Sequence, residues 1–189
     1  MIAAVVSNVT ESIPYEVVKK IGEMEIRQYR TIIVAQVDGL SDNQAFRVLF
    51  RYITGSNSVR QDVAMTTPVI SQGPTYEEIA MTRPVISDER SFAFVMPPRY
   101  SITTIPQPSD ERIKMVEVQG RTLAVLRFSG RMNVENIKKK ERQLLGVLEE
   151  NRVMTKGMVF LMRYNGPGTP GFLRRNEVAV EIEASSGAT

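Results

Sequence analysis

The 189-residue chain contains no cysteine, no histidine and no tryptophan. Without cysteine there is no disulfide and no thiolate chemistry. Without histidine the chain lacks the usual general base, the commonest metal ligand and the commonest axial ligand of haem iron. A surplus of one charge is missing too. Lys and Arg number 24 against 21 Asp and Glu, a net charge of +3. A dedicated nucleic-acid binder clusters basic residues, so no nucleic-acid partner is expected. No apolar run approaches membrane-spanning length. The apolar opening, residues 1–6, is brief and has no basic region before it. The expectation is a cytoplasmic protein, monomeric, forming one domain over residues 1–189. At 42% hydrophobic residues the chain can bury a core without staples. The tail 184–189 is small and polar and is expected to be disordered.

One local pattern stands out. Val63-Ala64-Met65-Thr66-Thr67-Pro68-Val69-Ile70-Ser71 returns as Ile79-Ala80-Met81-Thr82-Arg83-Pro84-Val85-Ile86-Ser87, with seven of nine positions identical. Each copy reads as a short strand that admits a proline. Proline donates no backbone hydrogen bond, so it belongs at a strand start, an edge or a bulge. Gly73-Pro74 between the copies signals a turn.

Tyr15–Lys20 and Met24–Tyr29 read as strands around a turn at Gly22, and Thr31–Val37 as a β-branched strand. Ser41 then offers an N-cap, with Gln44 placed to complete a capping box. Phe46, Leu49, Phe50 and Ile53 follow at helical spacing, and Gly55 stops the helix. Ser91–Met96, Val159–Tyr164 and Glu177–Ile182 read as further strands. A second helix has Asn133 as N-cap and Met132 with Ile137 as a staple. Its expected buried stripe is Val134, Ile137, Leu144, Leu145 and Leu148. Arg30–Gly39 and Arg121–Gly130 align without gaps, and each leads into a helix. The expectation is an α+β fold: a distorted antiparallel β-barrel or curved sheet with two flanking helices. It would be built from two similar strand–helix–strand halves, about 15–97 and 98–183.

The doubled Met-Thr-x-Pro-Val segment resembles the SOUL haem-binding proteins. So do Phe46-Arg47-Val48-Leu49-Phe50-Arg51-Tyr52-Ile53-Thr54-Gly55, Phe94-Val95-Met96-Pro97 and Phe172-Leu173-Arg174-Arg175-Asn176-Glu177-Val178. They fall in the family's order, between about Tyr15 and Ile182. The resemblance implies a distorted β-barrel flanked by two helices. It also implies a binding groove between the first helix and a loop near the last strands.

A haem or related tetrapyrrole is a flat apolar plate with carboxylates on one edge, and needs an apolar wall and a few cations. Phe46 and Phe50 offer the wall, and Arg47 and Arg51 stand beside it. Guanidinium groups pair well with carboxylates. The late loop 166–172 adds Phe172 and the pair Arg174 and Arg175. The histidine that ligates iron in some SOUL proteins has no counterpart here. Haem would therefore bind without an axial ligand, or through another residue. Tyr52 lies nearest on the helix, and Met65, Met81, Met96, Met158 and Met162 are the methionine candidates, although such methionines are ordinarily core filler. No catalytic constellation is present. Glu77-Glu78, Asp88-Glu89 and Asp110-Glu111 read as solvated pairs, so the chain is expected not to be an enzyme. The expected function is non-catalytic binding of a tetrapyrrole, as buffer, carrier or sensor.

An alternative stays open. The duplicated architecture resembles the effector-binding domains of bacterial multidrug-responsive regulators, where a Glu in a central cavity binds apolar cations. Such a module would take small apolar molecules or a partner protein. Glu177 would be that Glu, although its plain reading is an outward-facing strand residue.

Overall fold

The computed structural model describes residues 11–59, 63, 66–72, 91–130, 133–165 and 169–183. Ten strands and two helices form the frame: β1 (Glu11–Ser12), β2 (Tyr15–Ile21), β3 (Met24–Tyr29), β4 (Ile32–Asp38), α1 (Asp42–Ile53), β5 (Thr66–Gln72), β6 (Ser91–Val95), β7 (Lys114–Val118), β8 (Arg121–Phe128), α2 (Val134–Glu150), β9 (Thr155–Arg163) and β10 (Asn176–Ile182). The strands make one sheet, in the order β2-β3-β8-β10-β9-β5-β6-β4-β7, and β1 adds to β5 in parallel. All other pairings are antiparallel.

Leaving β2 aside, this order is palindromic. From the two ends inward, β3 answers to β7, β8 to β4, β10 to β6 and β9 to β5. The register agrees. Leu126 pairs with Met24 and Val178, as Ala35 pairs with Met115 and Phe94. α1 packs on β4 and β6, and α2 packs on their counterparts β8 and β10. The expected pair of similar halves is therefore present, with one feature added. Each half's leading strand sits in the other half's sheet: β3 lies against β8, and β7 against β4.

Local chemistry fixes the elements. Gly22 takes φ 58° in the β2–β3 turn, a conformation that costs other residues a steric penalty. Gln44 accepts from the Ser41 backbone N–H at 3.2 Å, the returning half of a capping box. The Asn133 side chain accepts from the Asn136 N–H at 2.9 Å and opens α2. Pro68 falls where β5 slips register against β6, between Thr66 and Val69, the irregularity that a proline requires. The second Met-Thr-x-Pro-Val copy lies outside the described residues, as do Gly73-Pro74, Met132 and the tail.

Alternation along the strands sorts side chains to two faces. Ile33, Ala35, Val37, Phe92 and Phe94 meet α1, whereas Ala124, Leu126, Leu161, Val178 and Val180 meet α2. The opposite face carries Tyr29, Val34, Val95, Leu123, Val125, Phe160, Met162 and Ala179, drawn from both halves. The two helices do not cover this face, yet its residues are buried. The sheet must curl to close it.

Two stripes differ from expectation. In α1 the buried residues are Ala45, Val48, Leu49, Tyr52 and Ile53, while Phe46 is half-buried and Phe50 is exposed. In α2, Ile137, Leu144 and Leu148 are buried, but Val134 and Leu145 face solvent. β7 was not foreseen.

Candidate functional site

α1 presents an aromatic run that leads from solvent into the sheet. Phe50 is 45% exposed and stacks on Phe46, with ring centres 5.7 Å apart. Phe46 meets Phe94 of β6 edge-on at 5.4 Å, and Phe94 touches Phe92 at 6.1 Å. Arg163, at the end of β9, places its guanidinium 5.8 Å from the Phe92 ring. Its Nη2 donates to Asp42 Oδ2 at 2.5 Å, which ties the end of β9 to the first turn of α1. Arg47 and Arg51 are exposed on α1.

The late loop follows directly from Arg163. Its turn at Gly171–Leu173 holds Phe172 and Leu173 at 77% and 62% exposure. Arg174 Nε donates to the Thr169 carbonyl at 2.7 Å. Large apolar side chains this exposed, beside guanidinium groups, are the features a carboxylate-bearing apolar ligand needs.

Arg175 is placed differently. It turns inward, donating to Glu177 Oε1 from Nε at 3.0 Å and from Nη2 at 2.7 Å. Its guanidinium lies 4.0 Å from the Tyr164 ring centre. Arg27 donates to the same Glu177 at 2.8 and 3.1 Å, and the Tyr164 hydroxyl donates to it at 2.8 Å. Arg27 also reaches Glu25 at 2.8 Å and lies 4.2 Å from the Tyr15 ring centre. Burial acts to lower the Arg27 pKa, but its bonds to Glu177 and Tyr29 outweigh that and hold it above its ordinary value. Burial pushes the Tyr164 and Tyr29 hydroxyls up.

This cluster corrects the outward-facing reading of Glu177, which is wholly buried. It also leaves no unmatched negative charge for a cationic ligand. Two guanidinium groups, of Arg27 and Arg175, face two carboxylates, of Glu25 and Glu177. A small apolar pocket beside it, lined by Tyr29, Leu123, Phe160 and Met162, has a volume of only about 20 Å³, room for about one water molecule.

Tyr52 is corrected as an iron ligand. It is buried and donates to the Pro106 carbonyl at 2.6 Å, and burial pushes its pKa up to about 12. Met96 and Met162 are core residues; Met158 is exposed near the start of β9, away from Arg163. Met65 and Met81 lie outside the described residues. The exposed Phe50 ring and the neighbouring guanidinium groups of α1 thus offer more to an apolar ring with carboxylates than to iron.

A larger cavity of about 370 Å³ opens where β4 begins and β6 ends, lined by Ile13, Pro14, Ile32, Met96, Pro98 and Tyr100, with exposed Arg30 and Glu117 as its charges. The sequence reading missed it, because its walls come from loops. Among the described residues, no helix is long and apolar enough to cross a membrane.

The fold occurs in solved structures of low identity. The EcmrR C-terminal domain matches with a TM-score of 0.59 at 10% identity, covering 89% of this chain and 98% of that one. An uncharacterized conserved protein from Listeria innocua matches at 0.59 and 12%, covering 85% and 92%. A structure described as a hydrolase from Listeria innocua matches at 0.57 and 11%, again covering 85% and 92%. Likeness at such identity is one of fold alone. Among curated proteins, none matches the chain. The sequence model described as SOUL heme-binding protein matches residues 10–181, most of the chain, which therefore belongs to the SOUL heme-binding family.

Proposed function

We propose that this chain binds haem or a related tetrapyrrole without catalysis, as a buffer, carrier or sensor. The Phe46–Phe50 stack on α1, half-buried at Phe46 and exposed at Phe50, carries the reading. The ring would lie on that stack, with Phe172 closing from the late loop. Arg47, Arg51 and Arg174 would receive the propionates. Arg175 takes a smaller part, because Glu177 already holds its guanidinium. Family membership supports the ligand class. Burial of the ring, rather than iron ligation, supplies the affinity, so metal-free porphyrin binds nearly as well as haemin. The absence of histidine and cysteine from the whole chain supports a non-catalytic role. Titration of haemin and of a metal-free porphyrin, followed by the Soret band and by fluorescence, tests this. Saturable binding at micromolar level, roughly −8 kcal/mol, is expected for both. No saturable signal from either refutes it.

The cavity of about 370 Å³ favours a second reading, an effector-binding module for a small apolar molecule. A compound held there would be blocked by Pro98→Trp, an exposed lining position outside the core that packs on α1.

A further inference from the structure

Two buried polar atoms have no hydrogen-bond partner among the described residues: Ser71 Oγ and Arg163 Nε. Register brings them to one place. Ser71 pairs with Phe92 across β5–β6, and Arg163 pairs with Val69, two residues along from Ser71 on β5. All four side chains leave the sheet on the α1 face. The Arg163 guanidinium lies over that same Phe92 ring. Ser71 is only 6% exposed, so its hydroxyl has no easy access to water.

The unpaired nitrogen matters chemically. A carboxylate binds guanidinium best side-on, taking Nε–H and Nη2–H with its two oxygens. Asp42 takes Nη2 alone, and Nε is left open. An unsatisfied buried donor is costly, and such atoms usually mark a missing water, ion or ligand.

We propose that Arg163 and Ser71 form a carboxylate-receiving subsite at the inner end of the Phe50–Phe46–Phe94–Phe92 run. An incoming carboxylate takes both Nε–H and Nη2–H of Arg163 and accepts from the Ser71 hydroxyl. It displaces the Asp42 carboxylate, which stays at the N-terminus of α1, where the helix dipole favours an anion. The aryl or ring portion of the same ligand lies against Phe46 and Phe50, the accessible end of the run. The proposal deepens the tetrapyrrole reading, and rests on it only for the identity of the ligand.

The test uses the intact chain and a small probe, 3-phenylpropanoate, with 3-phenylpropanamide as its uncharged counterpart. NMR follows the Arg163 Nε–H proton, assigned by its loss in Arg163→Lys. The carboxylate should shift that proton and the amide should not. Asp42→Asn, which removes the competing carboxylate, should tighten binding at least three-fold. Ser71→Ala should weaken it at least three-fold. A proton unmoved by the carboxylate, or moved equally by the amide, overturns the subsite. So does weaker binding in Asp42→Asn, which would make Asp42 a mere support. A metal-free porphyrin diacid then separates the two readings. A shift with phenylpropanoate but no porphyrin binding keeps the subsite and removes the tetrapyrrole. Porphyrin binding that leaves the proton unmoved does the reverse.

Discussion

Arg27 and Glu177, 150 residues apart in sequence, meet through two hydrogen bonds of 2.8 and 3.1 Å on a face of the sheet closed to water. Both side chains are almost wholly buried. A buried ion pair rarely adds much over an apolar pair of the same shape, but breaking one is costly. Glu177→Leu alone leaves buried Arg27 with Glu25 as its one carboxylate partner, through Nε, strips its Nη atoms of theirs, and should cost about 3 kcal/mol. Arg27→Met with Glu177→Leu should recover most of that, since Arg175 is part-exposed and can turn to water. Urea midpoints of the single and double variants check this; a double variant as unstable as the single contradicts it.

Tyr52 sets an alkaline limit. Its pKa rises from 10.0 unfolded to about 12 folded. A raised value means the folded state holds the proton more tightly. That contribution is complete below pH 10 and is lost as pH climbs to about 12. Tyr52→Phe should flatten the fall in stability over this window, though Tyr29 and Tyr164 are raised as well and preserve part of it. At neutral pH it should cost about 1–3 kcal/mol, because the Pro106 carbonyl loses its buried donor. Thermal melts across the window, with tyrosinate absorbance, provide the measurement.

Replacing Arg47 and Arg51 together by Glu should weaken haemin binding ten-fold or more, about 1.4 kcal/mol, in a chain that still folds. Unchanged affinity would locate the carboxylates elsewhere.

Phe50→Ala separates binding from stability. The side chain is half in solvent, so unfolding should shift by no more than about 0.5 kcal/mol. Porphyrin affinity should fall several-fold, since an aromatic stack contributes about 0.5–1.5 kcal/mol. Fluorescence titration beside a urea melt reads both; equal losses would make Phe50 a structural residue.

Much of the frame was legible because its signals are local. Ser41 and Gln44, Asn133, Gly22 and the alternating strands announce themselves within a few residues. The face of α1 was misread because Ala45 gives no hydropathic signal, and because the partner of Tyr52, the Pro106 carbonyl, is remote in sequence. β7 is five residues, Lys-Met-Val-Glu-Val, that break strict alternation at Met115-Val116 and follow a Pro- and Ser-rich stretch. Nothing local says that Arg27 finds Glu177, or that Arg175 turns inward. Arg163 carried one faint cue: a guanidinium at an alternation position shared with buried Leu161.

The crossing of β3 and β7 into opposite halves has a consequence for how the chain comes to be folded. β3 ends at Tyr29, but the strand it lies against begins only at Arg121. During synthesis the far edge of β3 must wait, with only β2 beside it, while about half of the chain emerges. Pairings between such distant segments raise contact order and slow folding toward the millisecond-to-second range. Neither half can be cut away as a folded piece, since each would lack a strand made by the other. The interlock predicts a protein slow to assemble and exposed to aggregation while it waits.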